Sequence, residues 1–355
     1  MISHLSAREL SATTLELTQV RARLGVDYFV AGSLRVGGHG ATLDADCIDA
    51  TNGRILWTRQ FSGALGDFMG IESAPVTEVV RAIGQTIASE AVQHVHGRAL
   101  ASLEDHHLLV AGVGLMHQLK FASFARSREL IEEAIRRAPR AAEAHAWLGE
   151  WYVMSVFNGW TTDRAADTQQ AQDSTARALD IDPENSFCLT IDGVVHNNLL
   201  MQMDVAEQRF NAALERNPNE AMAWLLSGVL FAYRDDGAEA VQRVETALRR
   251  SPVDPFGYFY DSLASAAHIA AEDYATALHL ANRSLLKNNR HLSTLRAKIC
   301  ALHYLGRTDE ARLVAADLMR RQPDFTLTAY KASHPAAERR FGQNVMAAFA
   351  AAGIE

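Results

Sequence analysis

Cysteine, basic charge and long apolar runs are all scarce in this sequence. Its three cysteines, Cys47, Cys188 and Cys300, lie far apart and form no CxxC pair, so neither a disulfide framework nor a zinc knuckle is predicted. The net charge is −8 and no basic run is present, which argues against a nucleic-acid partner. Because unpaired cysteines suit a reducing compartment, we predict a cytoplasmic protein.

No stretch of the sequence is suited to a membrane or to a signal peptide. The longest nearly apolar run covers residues 108–116, whereas a helix that spans a bilayer needs about 20 such residues. The first 25 residues also lack the apolar core of a signal peptide. No membrane partner is predicted.

Catalytic and metal-binding motifs are missing as well. Neither HExxH nor GxSxG occurs, and the GGHG run at 37–40 precedes a strand-like segment instead of the helix that follows a phosphate loop. The densest histidine cluster is interpreted as surface or capping residues, since its first two members diverge on a helix; it comprises His94, His96, His106 and His107. We therefore predict a non-enzymatic protein with no catalytic residues, no metal site and no cofactor.

The sequence is rich, in contrast, in apolar residues, which make up 48% of its 355 positions and can form a large core. Residues 183–218 show their pattern best. Two amphipathic helices flank a short turn, and the second carries Ala206, Phe210 and Ala213 before it ends at a proline. Small residues let two helices approach closely, and the ring fills the space between them. The proline cannot continue a helix and closes the unit.

This pattern recurs with a period of about 34 residues, which is typical of a tetratricopeptide (TPR) array. The repeat-closing positions are Pro139, Pro183, Pro218, Pro252, Asn289 and Pro323. They define six units, at about 106–139, 142–183, 187–218, 221–252, 255–289 and 292–323. One unit cannot bury its own apolar face, so neighbouring units must stack. An irregular helical bundle is the alternative.

The first hundred residues have a different pattern. A helix is predicted at 14–24, followed by strands at 27–36, 41–49 and 54–61 and a long helix at 76–95. In the second strand, Asp44 and Asp46 alternate with apolar residues and are interpreted as a solvated face. Residues 51–53 read Thr-Asn-Gly, a hairpin signal. We predict a three-stranded antiparallel meander with flanking helices, and hence an α+β module that precedes an all-α TPR superhelix.

Residues 20–99 resemble the TolB-amino-terminal-like domain of bacterial signalling proteins. The similarity lies in LGVDY at 24–28, GSxR at 32–35, the turn formed by Asp49, Ala50 and Gly53, and the following Leu56-Trp57. The resemblance implies that, in those proteins, an adenylate cyclase or a winged-helix domain precedes the module and a TPR array follows it. The chain departs from that family because the opening strand of the type IAVLPF is absent.

A sheet without that strand would expose unpaired backbone groups at its edge. We therefore predict that the edge near Asp27–Val36 forms a homodimer; a truncated reading frame is the alternative. The resulting domain prediction is a truncated TolB-like module at 1–100, six TPR-like helix pairs at 104–323 and a C-terminal capping helix within 324–355, at 336–352.

The concave groove of a TPR superhelix is lined mainly by the first helix of each pair. The predicted partner-binding groove therefore consists of Glu150, Met154, Ile191, Val195, Asn198, Met222, Leu225, Val229, Tyr233, Arg296, His303 and Tyr304. Because this set is mostly apolar, it favours an apolar helix or segment of a protein partner, or the chain's own terminal helix. The alternative is that many of these side chains simply pack between repeats.

An insertion in the second unit, at 157–167, carries two aromatic residues, Phe157 and Trp160. An exposed aromatic loop is a contact candidate, and the alternative is that Trp160 folds back onto its own helix. The function predicted from all these patterns is a non-enzymatic scaffold for protein–protein interaction in bacterial signalling. The second interpretation is the regulatory part of an adenylate cyclase or a winged-helix regulator whose effector domain is encoded elsewhere.

Overall fold

The structure is a computed structural model that describes residue 26 and residues 28–37, 40–50, 52–68, 74–95, 97–103 and 105–355. The chain divides into two compact units. One comprises residues up to Gln93 together with Val253–Pro255, and the other comprises His94–Pro252 and Phe256–Glu355.

The first unit contains the predicted three-stranded meander. Strands β1 (Tyr28–Gly37), β2 (Gly40–Asp49) and β3 (Ile55–Gly63) are antiparallel and follow one another in the order β1-β2-β3. Helix α1 (Ala74–Val95) follows the sheet. The meander and the long helix are thus confirmed, whereas the helix predicted at 14–24 lies outside the described residues.

The two faces of β2 differ as its alternating sequence predicts. Ala45 and Cys47 are buried, while Asp44 lies on the opposite face, where it accepts a hydrogen bond from Gln60 at 2.6 Å and pairs with Arg35 at 2.5 Å. Asp46 accepts a hydrogen bond from Thr58 at 2.8 Å. These carboxylates are paired across the strands of a solvated face.

Residues 105–323, which are described without a gap, form six helix pairs. The pairs are α2 (Asp105–Met116) with α3 (Phe121–Arg137), α4 (Ala142–Phe157) with α5 (Arg164–Ile181), α6 (Ser186–Asn198) with α7 (Met203–Arg216), α8 (Ala221–Tyr233) with α9 (Gly237–Arg250), α10 (Gly257–Ala270) with α11 (Tyr274–Lys287), and α12 (Leu292–Tyr304) with α13 (Thr308–Arg321). Their spacing reproduces the predicted repeat register.

Close approach within a pair depends on the small residues that mark the register. A Cβ atom added at Gly193 would lie 2.7 Å from the ring of Phe210, and one at Gly149 would lie 2.7 Å from Thr175. Ala206 and Ala213 are completely buried on either side of the same ring. The predicted combination of small residues around one large ring is therefore the actual packing within the third pair.

Two further helices follow the last pair. They are α14 (Leu327–Ser333) and α15 (Arg340–Ala351). The predicted capping helix is present as α15 but begins only at Arg340, because the preceding residues form turns in which Ala336 N donates to His334 Nδ1 at 3.1 Å. Helix α14 was not predicted. Together, residues 327–351 are called the terminal segment below.

Candidate functional site: a cavity inside the repeat array

A cavity of about 460 Å³ lies inside the repeat unit. Its walls come from α4, α6, α8, α10 and α12, which are the first helices of pairs two to six, and from the terminal segment. The first helices contribute Glu150, Val153, Met154, Val156, Phe157, Val194, Asn197, Asn198, Leu226, Val229, Tyr233, Phe259, Ser262, Leu263, Ala266, Ile269, Ser293, Arg296 and Ala297. The terminal segment contributes Ala329, Tyr330, Ala332, Ser333, His334, Phe341 and Val345. Part of the concave groove is therefore occupied by the chain's own C-terminal residues.

Asp235 holds the terminal segment in place. It lies in the turn between α8 and α9, and its carboxylate accepts hydrogen bonds from the backbone N–H of Phe341 at 2.7 Å and of Arg340 at 3.2 Å. A carboxylate at the N-terminus of a helix satisfies free N–H groups and complements the helix dipole. Arg340 also pairs with Glu272, in the turn after α10, at 3.1 Å. Two repeat turns thus fix the start of α15.

Aromatic contacts continue this attachment along the cavity wall. The ring of Tyr233 lies 4.7 Å from that of His334 and 5.5 Å from that of Phe341. On α12, Tyr304 stacks on Tyr274 and donates a hydrogen bond to the carbonyl of Asn344 at 3.1 Å. Tyr233 and Tyr304, which were both assigned by position to the partner groove, therefore contact the terminal segment.

Arg296 is a charged group on the α12 wall of the cavity. Its guanidinium donates to Gln322 Oε1 at 2.7 Å and to the carbonyl of Phe157 at 3.4 Å, and lies 4.7 Å from the ring centre of Phe325. Its Nε is shielded from water and has no hydrogen-bond partner among the described residues. Burial lowers the pKa of Arg296 to about 10, so the side chain is a cation at neutral pH.

Neutral hydrogen-bonding side chains surround this cation. Burial, and secondarily the charge of Arg296, lowers the pKa of His291 and of His334 to about 3, so both imidazoles are uncharged at neutral pH. Burial raises the pKa of Tyr233 to about 12 and also raises that of Tyr330 well above its ordinary value. Arg296 is therefore the only charged member of this cluster, while the partly buried Arg164 and the exposed Asp324 line the cavity elsewhere.

Glu150 is the acidic group on the α4 wall. It is 7% exposed, and its Oε2 has no hydrogen-bond partner among the described residues. Burial raises the pKa of its carboxyl to about 8, since a low-dielectric environment disfavours the charged form. At neutral pH the side chain is therefore mainly a protonated, neutral acid.

The cavity contains half of the groove residues predicted by position: Glu150, Met154, Asn198, Val229, Tyr233 and Arg296. Three others, Ile191, Val195 and Leu225, have no exposed surface and lie in the hydrophobic core instead. The remaining three, Met222, His303 and Tyr304, are partly buried but do not line the cavity. Position in the repeat thus identifies the helices that line the cavity but does not by itself give the face that each helix turns inward.

The insertion in the second pair is divided between cavity and core. Phe157 lines the cavity, but Trp160 turns back onto the first pair, where its ring lies 4.6 Å from that of Phe124 and 6.1 Å from that of Phe121. Trp160 therefore packs within the array and is not presented by an open loop. Sequence reasoning missed Tyr330, His334 and His291, whose arrangement depends on the position of the terminal segment.

A long-range contact also joins the first and fifth pairs. The carbonyl of His117 accepts a hydrogen bond from Asn288 at 3.0 Å, and its ring lies 2.8 Å from the hydroxyl of Tyr258, measured from Nδ1, and stacks on Phe256 at 3.8 Å. Burial lowers the pKa of His117 to about 3, so its ring is neutral. These contacts tie the end of α2 to the fifth pair.

Within the described part of the chain, no group of three or more histidine, cysteine, aspartate or glutamate side chains is arranged to hold a metal ion. The same residues include no helix long and apolar enough to cross a membrane.

Comparison with known proteins finds a curated relative. The chain is 23% identical over 194 residues to the Rhizobium meliloti (strain 1021) protein named "Putative adenylate cyclase 3", a match that covers 54% of this chain and 33% of that protein. The chain thus spans about a third of the length of that relative. No protein-family model matches the sequence.

Solved structures of helical-repeat proteins match at low identity. The tetratricopeptide protein TTC0263 of Thermus thermophilus is 16% identical, with a TM-score of 0.44. The superposition covers 56% of this chain and 99% of that one. A chain of the Cut9–Hcn1 hetero-tetramer of the APC/C is 12% identical, with a TM-score of 0.48. That superposition covers 79% of this chain and 50% of the other. In this chain, a three-stranded sheet is followed in sequence by six helix pairs in one register.

Proposed function

We propose that this chain is a non-enzymatic scaffold that binds a protein partner through its TPR groove in bacterial signalling. The observation that supports this most is the wall made by five consecutive first helices, which is mostly apolar and which already accepts one helical segment, the chain's own. A groove that accommodates α15 has the dimensions and polarity that an amphipathic partner helix requires. Three buried, unpaired cysteines support a cytoplasmic location.

The terminal segment and the partner would compete for the groove. Asp235→Ala removes both hydrogen bonds to the start of α15, so this helix should leave the groove more often and the partner should bind more tightly. Affinity capture by the wild-type and Asp235→Ala chains identifies a partner, and titration of that purified protein measures the change, expected to be about 10-fold.

Two variants control this experiment. Asp309→Ala removes an almost fully exposed carboxylate on α13, which pairs only with Arg312 in its own helix, and should leave partner binding unchanged. Asn198→Arg places a large charge on the groove wall and should abolish binding. A captured protein that binds equally well to the Asn198→Arg chain would show that the groove is not its site.

A second function, the regulatory part of an adenylate cyclase, is favoured by the match to the curated relative. It would apply if the effector domain were supplied by another polypeptide, and the same argument holds for a winged-helix regulator. Adding the purified chain to a cyclase catalytic domain from such a relative should then change the rate of cyclic AMP formation. An unchanged rate at saturating chain would leave the scaffold as the better proposal.

A further inference from the structure

The cavity contains a buried cation without an anionic partner. The described residues provide no ion pair for Arg296: its contacts there are the Gln322 amide, a backbone carbonyl and an aromatic ring, and only tyrosines oppose the effect of burial on its pKa. Buried charges in proteins are usually paired, because removing a guanidinium from water is costly. An anion bound beside Arg296 would therefore compensate its charge.

The guanidinium of Arg296 has unused hydrogen-bonding capacity. Its Nε has no acceptor among the described residues, although an unsatisfied buried donor costs about 1 to 3 kcal/mol. A carboxylate beside the guanidinium would neutralise its charge, and hydrogen bonds between ionised groups are the stronger class.

The rest of the wall limits the ligand to one negative charge and an apolar body. Met154, Val229, Phe259 and Leu263 supply apolar surface, and the histidines near Arg296 are uncharged at neutral pH. Arg164, which donates to the carbonyl of Ser333 at 3.4 Å, and the exposed Asp324 also line the cavity, and their opposite charges offset each other. The net charge left to balance is that of Arg296, which a single carboxylate matches and a phosphate monoester, at about −1.5 to −2, exceeds.

The size of the cavity suits a small molecule. Its volume of about 460 Å³ falls within the range of roughly 300 to 1,000 Å³ that is usual for small-molecule pockets. We propose that the cavity binds a small monocarboxylate with an aliphatic or aromatic body, and that the Arg296 guanidinium donates to its carboxylate. This inference goes beyond the proposed function, since it concerns a small-molecule site and not the protein partner.

The test compares each carboxylate with its neutral amide. The probes are octanoate, 4-phenylbutyrate and 1-naphthylacetate, each paired with the corresponding primary amide, and binding to the full chain is measured by isothermal titration calorimetry. At least one carboxylate should bind one-to-one and about 10-fold or more tighter than its amide, a difference of about 1.4 kcal/mol. If none of the carboxylates binds more tightly than its amide, the proposal is wrong.

Two variants locate the anion. Gln322→Glu is nearly isosteric and gives Arg296 an internal carboxylate partner at a contact that now measures 2.7 Å, so the preference for the carboxylate should disappear while the fold is retained. Arg296→Gln should remove it as well. Arg312→Gln, on the exposed surface of α13 with a side chain 61% exposed, should keep the full preference. Persistence of the preference in Gln322→Glu would place the anion elsewhere and overturn the assignment.

Discussion

Glu150 and Arg296 illustrate opposite solutions for an ionisable side chain inside an apolar cavity. Arg296 remains charged, because even the lowered pKa of about 10 lies above neutral pH. Glu150 gives up its charge, because burial raises its pKa to about 8 from an ordinary value of 4.5. The pKa of Tyr258 is raised mainly by burial and secondarily by the charge of the Glu150 carboxyl. The difference between the two residues predicts a measurable dependence of stability on pH.

Replacing Glu150 by glutamine should remove a free-energy cost of folding that grows with pH. The unfolded chain releases the Glu150 proton near pH 4.5, whereas the folded chain retains it until about pH 8. Between these values the folded state binds more protons, so wild-type stability falls by about 1.4 kcal/mol per pH unit from this group. From pH 5 to pH 8, the free energy of unfolding of Glu150→Gln relative to wild type should therefore rise by an amount on the order of 3 kcal/mol, measured by urea denaturation.

Three buried histidines whose pKa is lowered do not disturb this comparison. The lowered pKa of His117, His291 and His334, about 3 for each, stabilises the fold above pH 6.5, and this contribution is lost as the pH falls from 6.5 toward 3. Both proteins share it, so it cancels in the difference. Glu338→Gln, at a side chain that is 77% exposed, is the control and should follow the wild-type curve. A Glu150→Gln curve parallel to wild type would contradict the prediction.

The sequence predicts the helices of the site better than their inward faces, for a physical reason. Helix α8 reads AMAWLLSGVLFAY and is apolar on all sides, so it has no polar stripe that identifies its solvent side. Within it, Val229 and Tyr233 line the cavity, while Leu225, one turn earlier, is completely buried. Only the packing of neighbouring helices separates these residues, and that packing depends on contacts distant in sequence.

At the scale of elements, the turn between the two helices of each pair repeats one backbone conformation. Each of the six turns contains one residue with positive φ, between 53° and 74°, namely Leu119, Gly159, Met201, Asp235, Glu272 and Gly306. An L-residue with a side chain pays about 1 kcal/mol or more in this region, and glycine does not. Four of the six turns have a residue with a side chain at this position and carry the strain energy, whereas the other two have glycine and do not.

Exchanging glycine and non-glycine residues at these turns should therefore change stability in opposite directions. Gly306 has φ of +74° and no atom within 4 Å of an added Cβ, so Gly306→Ala isolates the backbone effect and should lower the free energy of unfolding by about 1 kcal/mol. Met201→Gly, at φ of 56° and with an exposed side chain, should be neutral or stabilising. Chemical denaturation of both variants measures the two changes.

A matched control uses a glycine without positive φ. Gly66 also has no atom within 4 Å of an added Cβ, and its φ lies outside the left-handed region, so Gly66→Ala should cost less than Gly306→Ala. Equal costs at the two positions would show that left-handed backbone strain does not determine the effect.

The terminal segment shows where prediction from the sequence ends. Its amphipathic helix was predictable from the spacing of Phe341, Val345 and Phe349, but its docking depends on Asp235, which is separated from Phe341 by 106 residues. No local pattern links these positions, because the contact exists only once the repeats have stacked. The same holds for the contact between His117 and Asn288, which are 171 residues apart.

At the scale of the whole molecule, one face of β1 determines the expected assembly. Val30, Leu34 and Val36 project from the same side of the strand and are 44%, 49% and 60% exposed, although their register partners in β2 include Cys47 and Ala41, which are buried. The apolar face of the sheet thus continues onto β1, where no described residue covers it. Since β1 is also an edge of the sheet formed by the described strands, a second copy of the chain would satisfy both its backbone groups and its apolar face.

We therefore expect the chain to be a dimer in solution, joined by antiparallel pairing of β1 with its counterpart, and Leu34→Lys to convert it into a monomer. A lysine at the centre of the shared edge would bury a charge in an apolar contact and repel its symmetry mate. Sedimentation velocity over a concentration series measures the assembly. Ile55→Lys, at a 57% exposed position of the opposite edge strand β3, introduces the same charge and should leave the dimer intact. A wild-type chain that stays monomeric at the highest concentration, or a Leu34→Lys dimer as stable as that of Ile55→Lys, would rule out this edge as the interface.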